Sequence, residues 1–128
     1  MNGRIGVLIV DDHDAFRLAL GELVRACREF ALVGEVTSGE AALEAVEELA
    51  PQLVIMDLRM GGIGGLEAMR RLAGRRPDVP VLLVSLNDPA PGALDGWPTA
   101  AFMRKQALNP RTLRAAWHEH AAARNAAS

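Results

Sequence analysis

The chain has 128 residues, half of them apolar, and a formal net charge of −2 at pH 7. This size and apolar content suit one folded domain and exclude a disordered chain. The near-balanced charge argues against direct nucleic-acid binding, and no apolar run is long enough for a membrane span. The single cysteine, Cys27, excludes an internal disulfide, so we expect a soluble cytoplasmic domain.

Short apolar runs alternate with amphipathic stretches along the chain. The runs predict five strands, at Ile5–Val10, 31–36, 53–56, 79–86 and 100–105. Helical spacing of apolar residues follows each of the first three strands. Thr37 and Glu40 have the spacing of a capping box, and Asn109 followed by Pro110 predicts the start of a last helix. Continuous apolar strands separated by helices predict an α/β fold with a parallel sheet covered on both faces.

The segment between the last two strands has a different composition. It contains three prolines and two glycines between residues 87 and 99. Because proline and glycine interrupt helices, we expect a loop or a short, irregular fourth helix there.

Polar residues stand at the carboxyl ends of the predicted strands. Asp11 and Asp12 follow the first strand, Asp57 the third, Ser85 lies near the end of the fourth, and Lys105 ends the fifth. Right-handed crossovers bring these ends to one edge of the sheet. Two carboxylates about 4 Å apart repel by about 4 kcal/mol at an effective dielectric of 20, so the cluster needs a proton, an ammonium or a metal.

The basic residues strengthen this interpretation. Of the 14 Lys and Arg residues, 13 are Arg, and the only Lys is Lys105 at a strand end. Carboxylates with room for water suit Mg²⁺, and an acidic cluster with a hydroxyl and an ammonium suits phosphoryl chemistry.

The motifs "VLIVDDHDAFR", "VIMDLRM" followed by "GLEAMRRL", "VLLVSL" and "FMRK" resemble the receiver domain of bacterial two-component response regulators. The opening and "MDLRM" resemble receivers of the NarL/FixJ, LuxR-type regulators most. The resemblance implies a flavodoxin-like, doubly wound sheet of five strands in the order 2-1-3-4-5. It also implies that residues 1–120 form the receiver and that 121–128 form a frayed tail.

The resemblance implies a role for each site residue. Asp57 is expected to accept a phosphoryl group from a sensor histidine kinase, a phosphotransfer protein or a small phosphodonor. Asp11, Asp12, Asp57 and the Arg59 backbone carbonyl are expected to hold Mg²⁺, and Lys105 to pair with the phosphoryl group. Ser85 and Phe102 are expected to move on phosphorylation and change the surface near strands 4 and 5.

Some positions depart from the family pattern. Gly61 and Gly64 stand where the family has Pro and Asp, and Gln106 replaces the Pro that commonly follows the lysine. His13 lies beside the acidic pair and could ligate a metal, but we expect it to be an exposed loop histidine. We expect Phe16 to be a packing anchor. His118 and His120 are too poorly spaced on a helix to form a metal pair.

Two other functions are compatible with parts of the sequence. "DHD" at 12–14 resembles the Asp-x-Asp of haloacid-dehalogenase-type phosphatases, but the chain is short for one, and no turnover of substrates in trans is expected. A phosphate-independent pseudo-receiver, acting as a protein interaction module, would suit the altered loop. The chain is expected to be a stand-alone receiver or the front half of a LuxR-type transcription regulator, with a homodimer possible.

Overall fold

The computed structural model describes residues 3–127, with side chains through His120. Within that part of the chain, the strands are β1 (Ile5–Val10), β2 (Phe30–Val36), β3 (Leu53–Asp57), β4 (Val81–Ser85) and β5 (Ala100–Arg104). The α-helices are α1 (Asp14–Ala26), α2 (Gly39–Leu49), α3 (Gly64–Arg75) and α4 (Pro110–Ala127). All neighbouring strands are parallel, in the order β2-β1-β3-β4-β5, which confirms the predicted flavodoxin-like sheet.

The sheet is covered on both faces, as its continuous apolar strands require. One core cluster joins the sheet to α2 and α3 and includes Leu8, Met56 and Met69. The other joins the sheet to α1 and α4 and includes Val24 and Leu113. Every residue of β3 and β4 is buried, so these two strands are held in place from both sides.

The strand register brings the polar strand ends together. Val10 pairs with Met56, Asp57 with Val84, and Ser85 with Arg104. Each of these four adjacent strands therefore ends within one residue of its neighbour, and Asp11 follows directly after β1. The carboxyl-end edge of the sheet is thus the place where the predicted polar residues meet.

Helix ends follow local capping chemistry, with one correction. Ser38, not Thr37, is the N-cap of α2, and its hydroxyl accepts a hydrogen bond from the Ala41 N–H at 3.0 Å. The predicted cap of α4 is confirmed, since the Asn109 side chain accepts from the Thr112 N–H at 3.0 Å. The Thr112 hydroxyl in turn accepts from the Asn109 N–H at 3.0 Å.

The segment from residue 86 to 99 contains no α-helix, in agreement with the irregular segment that we predicted. It folds as successive turns, closed by backbone hydrogen bonds such as Trp97 N–H to Leu94 C=O at 3.1 Å. Leu94 and Trp97 pack against the α2/α3-side cluster, and the Arg70 guanidinium lies 5.9 Å from the Trp97 ring centroid. The segment is therefore anchored by side chains instead of by helical backbone.

The last helix, α4, extends to Ala127. The predicted fraying of residues 121–128 stays a prediction, since their side chains lie outside the described part of the chain. None of the helices within residues 3–127 combines the length and the apolar character that crossing a membrane requires.

Candidate functional site

Three carboxylates converge at the carboxyl-end edge of the sheet. Asp11 is fully buried and Asp57 is 2% exposed, whereas the Asp12 side chain is 37% exposed. Ligand atoms of Asp11, Asp12, Asp57 and His13 all lie within 4.8 Å of one another. Sequence reasoning placed the three aspartates at one edge, and the strand register accounts for their convergence.

The ammonium of Lys105 lies inside this cluster. Its Nζ is 3.2 Å from Asp11 Oδ2 and 3.5 Å from Asp57 Oδ2, and its side chain is 10% exposed. Lys105 opens a short 3-10 turn (Lys105–Ala107) directly after β5, so it follows the strand instead of ending it. Nζ also lies 4.0 Å from the centroid of the Phe16 ring, a cation–π distance. Phe16, expected only to pack, therefore also contacts the lysine.

Burial raises the pKa of the Asp57 carboxyl above its ordinary value. A hydrogen bond from the Arg59 N–H opposes this rise, the charge of Asp11 adds to it, and Lys105 opposes it. Ionisation of the Asp57 carboxyl is therefore less favourable in the folded protein than in water. A second cation at the site would offset this cost in free energy.

Asp11 is fixed by its neighbours on the loop that leads into α1. Its Oδ1 accepts from the His13 N–H at 2.8 Å, and its backbone carbonyl accepts from Arg17 Nη1 at 2.9 Å. Arg17 is held in turn by Asp14, 2.6 Å away, and by Glu35, at 3.5 Å. The buried carboxylate is thus oriented from both its side chain and its backbone.

His13 lies closer to the cluster than the sequence led us to expect. Its ring Nδ1 is 3.1 Å from Asp12 Oδ1, 3.3 Å from Asp11 Oδ1 and 3.5 Å from Asp57 Oδ2. The side chain is 67% exposed, so the expectation of exposure is confirmed. Its place beside Asp11 and Asp12 follows from the sequence, whereas its contact with Asp57 depends on the fold of the whole edge.

The donor set fits a hard divalent cation. Asp11 Oδ2 is buried without a hydrogen bond among the described residues, and its 3.2 Å contact with Lys105 Nζ is an ion pair without hydrogen-bond geometry. A buried carboxylate oxygen in that state has unused capacity as a ligand. Carboxylates at one partly exposed edge match the few-carboxylate, water-rich coordination of Mg²⁺. Asp11, Asp12 and Asp57 are therefore the residues that would hold it.

The loop after β3 closes the site from one side. The Arg59 N–H donates to Asp57 Oδ1 at 3.1 Å, and the Gly61 N–H lies 3.5 Å from Asp12 Oδ2. Gly65 allows the loop to turn back, since a Cβ there would overlap the Asp57 backbone carbonyl oxygen. The loop therefore still brings backbone N–H groups to two of the carboxylates, one of them from Gly61, which departs from the family pattern.

Ser85 and Phe102 lie on the two strands beyond β3. Ser85 is 3% exposed at the end of β4, and its Oγ accepts from the Asn87 N–H at 3.4 Å. Phe102 is half-buried on β5 and packs against the α2/α3-side cluster, beside the turn segment that carries Leu94 and Trp97. The structure therefore places both residues as predicted, at the strand end and in the outer sheet.

A contact not expected from the sequence fastens the turn segment to the sheet. Arg104 donates two hydrogen bonds of 2.8 Å to the Asp88 carboxylate, and Arg59 Nη2 donates to the Asp88 backbone carbonyl at 3.1 Å. The first residues after Ser85 are thereby tied to the residue before Lys105. Asp88 and Arg104 are 16 residues apart in the chain, so the sequence does not indicate that they pair. The β4–β5 register, in which Ser85 pairs with Arg104, brings them together.

Comparison with known proteins agrees with this geometry. Residues 7–114 match the family model described as the response regulator receiver domain. The chain is 41% identical over 105 residues to the response regulator GacA of Pseudomonas viridiflava, covering 80% of this chain and 49% of that protein. It is 33% identical over 105 residues to the response regulator UvrY of Escherichia coli, covering 80% of this chain and 48% of that protein. The chain thus spans about half the length of the curated relatives that it matches.

Solved structures give the same relationship. The receiver domain of the response regulator NarL of Mycobacterium tuberculosis superimposes with a TM-score of 0.79 at 25% identity, covering 91% of this chain and 96% of that one. A LuxR-family response regulator of Aurantimonas shares the fold with a TM-score of 0.80 at 24% identity, covering 93% of this chain and 86% of that one. The chain belongs to the response regulator receiver domains of two-component systems and is related to the NarL and LuxR-type regulators.

Proposed function

We propose that the chain is a phospho-accepting receiver in which Asp57 takes a phosphoryl group. The observation that carries this proposal is the setting of Asp57: a carboxylate 2% exposed at the end of β3, with Lys105 Nζ 3.5 Å away and two further carboxylates beside it. A purely structural aspartate does not need two acidic neighbours, because each raises the free energy of its ionised form.

The transfer is a nucleophilic substitution at phosphorus. A carboxylate oxygen of Asp57 attacks phosphorus and forms an acyl phosphate. The bond from phosphorus to the donor, the imidazole nitrogen of a phosphohistidine or the acyl oxygen of acetyl phosphate, breaks, and its electron pair leaves with the donor. The buried position of Asp57 fixes the direction of attack.

The other residues stabilise charge during this transfer. Lys105 pairs with the phosphoryl oxygens, and Ser85 donates a hydrogen bond to one of them. Asp11, Asp12, Asp57 and the Arg59 backbone carbonyl are assigned to Mg²⁺, which when bound neutralises phosphoryl charge. Phosphorylation and dephosphorylation take place on Asp57 itself, and we expect no turnover of other substrates in trans.

Phosphorylation then shifts the population of conformers. Ser85 moves towards the phosphoryl group, and Phe102 turns inward into the space that it vacates. Phe102 packs in the same cluster as Leu94 and Trp97 of the turn segment, which supports a change of the surface beside β4 and β5.

A sensor histidine kinase or a phosphotransfer protein is the proposed donor in a cytoplasmic setting. As the front half of a longer regulator, the receiver would control a LuxR-type effector domain. Homodimerisation of the receiver is one response to phosphorylation that we propose.

The test is the intact mass of the protein after incubation with acetyl phosphate and Mg²⁺. One added phosphoryl group, absent from Asp57→Ala and from a sample without divalent metal, is the expected result. Loss of Trp97 solvent exposure or a change in its fluorescence on phosphorylation would report the switch.

The alternative is a phosphate-independent interaction module. The turn segment that stands in place of a helix favours it, since this surface differs from a regular helical one. No adduct with acetyl phosphate, and no response to the phosphoryl mimic beryllofluoride, would replace the phospho-accepting receiver by this module.

A further inference from the structure

The ring of His13 has no structural task in the helix that it precedes. His13 is the N-cap residue of α1, with extended backbone angles, but its side chain makes no capping hydrogen bond. Its backbone N–H instead donates to Asp11 Oδ1 at 2.8 Å, and its ring Nδ1 lies 3.3 Å from the same oxygen. The imidazole is thus directed into the acidic cluster and not onto the helix end.

The spacing of Nδ1 from the carboxylates is the spacing of ligands around one ion. An octahedral cation with bonds of about 2.1 Å places neighbouring ligand atoms about 3 Å apart. Nδ1 lies 3.1, 3.3 and 3.5 Å from oxygens of Asp12, Asp11 and Asp57, respectively. The four ligand atoms lie within 4.8 Å of one another, near the separation of about 4.2 Å between opposite ligands of such an octahedron. Without an ion, the 3.3 Å contact of Nδ1 with Asp11 Oδ1 is a hydrogen bond. The buried Asp11 Oδ2 accepts no hydrogen bond from the described residues, although it forms an ion pair with Lys105 Nζ at 3.2 Å.

The identity of the ligand atoms matters for the choice of metal. Mg²⁺ favours oxygen ligands and retained water, whereas imidazole nitrogen binds first-row transition ions with affinities that rise from Mn²⁺ to Ni²⁺. A nitrogen ligand added to three carboxylates therefore strengthens binding of transition ions more than binding of Mg²⁺. The His13 side chain is 67% exposed, so the site is open to solvent on that side. Water or a phosphoryl oxygen could take the remaining coordination positions of an ion bound there.

We infer that His13 Nδ1 is a further protein ligand, beside the three carboxylates and the Arg59 backbone carbonyl, and that it makes this site selective for divalent transition ions over Mg²⁺. This inference rests on the proposed function, because the two share the same carboxylates. It assigns to His13 a role in specificity, whereas the oxygen ligands suffice for Mg²⁺ alone. The charged groups that face the ring are Asp11, Asp12 and Asp57. Lys105 Nζ contacts the other oxygen of Asp11, Oδ2, and the same oxygen of Asp57, Oδ2, that the ring contacts.

The direct test uses Mn²⁺ bound to the wild-type chain. Electron spin-echo envelope modulation detects ¹⁴N coupling when an imidazole nitrogen is bound to Mn²⁺, and this coupling is the expected result. The coupling is expected to disappear in His13→Ala and to persist in His118→Ala. His118 is the matched control, since it pairs with Glu29 at 3.2 Å on another part of the surface.

Affinities provide an independent measure. Titration calorimetry with Mg²⁺, Mn²⁺ and Ni²⁺ is expected to show that His13→Ala weakens binding in increasing order along that series. The expected loss is roughly 10- to 100-fold for Ni²⁺, comparable with losses seen when partners of metal ligands are removed. For Mg²⁺ the change is expected to be small.

The outcomes separate this inference from the proposed function. Mn²⁺ binding that depends on Asp57 but shows no ¹⁴N coupling overturns the role of His13 and leaves the receiver site intact. An equal change for all three ions, or tighter binding without His13, also overturns it, because the ring would then be only a counter-charge. Failure of every ion to bind overturns both proposals. The experiment on the wild-type chain needs no variant, so folding of the variants does not limit it.

Discussion

The ammonium of Lys105 lies 4.0 Å from the centroid of the Phe16 ring, although the two residues are far apart in the chain. α1 carries Phe16 over the carboxyl end of β1, and the turn after β5 delivers Lys105 to the same place. The ring face shields one side of the ammonium, and Asp11 and Asp57 lie 3.2 and 3.5 Å from it. Phe16 is therefore a positioning residue for the lysine.

Replacing Phe16 by Leu should slow phosphorylation by acetyl phosphate. A cation–π contact of this kind contributes about 1 kcal/mol, so we expect a rate about fivefold lower with little change in fold. Intact-mass spectra of samples quenched at successive times give the rate of phosphorylation. Trp117→Leu is the control, since Trp117 packs against the α1/α4-side cluster. Equal slowing in both variants would assign the effect to general loss of packing.

Asp57→Asn should stabilise the metal-free protein at pH 7. Burial raises the folded-state pKa of Asp57, so as pH rises the unfolded chain ionises first and the folded state loses stability relative to it. The loss begins near the ordinary pKa of 3.8 and is complete above the raised folded-state pKa. Asn carries no such penalty, and we expect a gain of about 1 kcal/mol at pH 7.

The measurement is urea unfolding in EDTA at pH 7 and at lower pH. The difference between Asp57→Asn and the wild type should shrink as the pH approaches 3.8, and Mg²⁺ should stabilise the wild type more than the variant. A variant that is less stable than the wild type at pH 7 would contradict the dominance of burial at this carboxyl.

Gly65→Ala should destabilise the fold strongly. A Cβ at position 65 would overlap the Asp57 carbonyl oxygen and lie 2.8 Å from Leu58 Cα, and backbone atoms of a buried strand end cannot move aside. We expect a loss of about 3 kcal/mol in the free energy of unfolding. Gly61→Ala is the matched control, because nothing lies within 4 Å of its added methyl group. Similar stabilities for the two variants would show that the loop adapts freely.

Arg104→Gln should loosen the turn segment without unfolding the domain. The pair with Asp88 is exposed on both sides, at 56% and 61%, so its contribution to global stability should be below about 1 kcal/mol. Local opening should nevertheless increase, because Asp88 ties the start of the segment to β5. We expect cleavage by chymotrypsin near Leu94 or Trp97 to accelerate about two- to fivefold.

The matched control for that experiment is Arg71→Gln, which breaks an exposed pair with Glu67 at 3.0 Å within α3. Cleavage between residues 87 and 99 should not change in this variant. Acceleration in both variants would point to general destabilisation. Acceleration in neither would show that the packing of Leu94 and Trp97 and the hydrogen bond from Arg59 to the Asp88 carbonyl hold the segment without Arg104.

Much of the fold follows from local patterns that the sequence displays directly. Continuous apolar runs identify buried parallel strands, and each of β1 to β5 lies at a predicted run with small shifts at its ends. Asp11, Asp57 and Ser85 were predictable as neighbours because parallel connections bring strand ends to one edge, whatever the details of packing. The proline-rich composition of 87–99 likewise excludes a regular helix before any contact is known.

The remaining relationships required the tertiary structure. Phe16 and the Asp88–Arg104 pair have ordinary local surroundings, and only the strand register and the path of α1 bring them to the site. The same register brings His13, which follows the acidic pair in the chain, to Asp57. The choice of Ser38 over Thr37 as a cap likewise depends on where the backbone enters α2. Sequence by itself therefore determined which strands end in reactive groups, because backbone periodicity is local. Which side chains orient those groups was decided by the three-dimensional packing, because such contacts join residues distant in the chain.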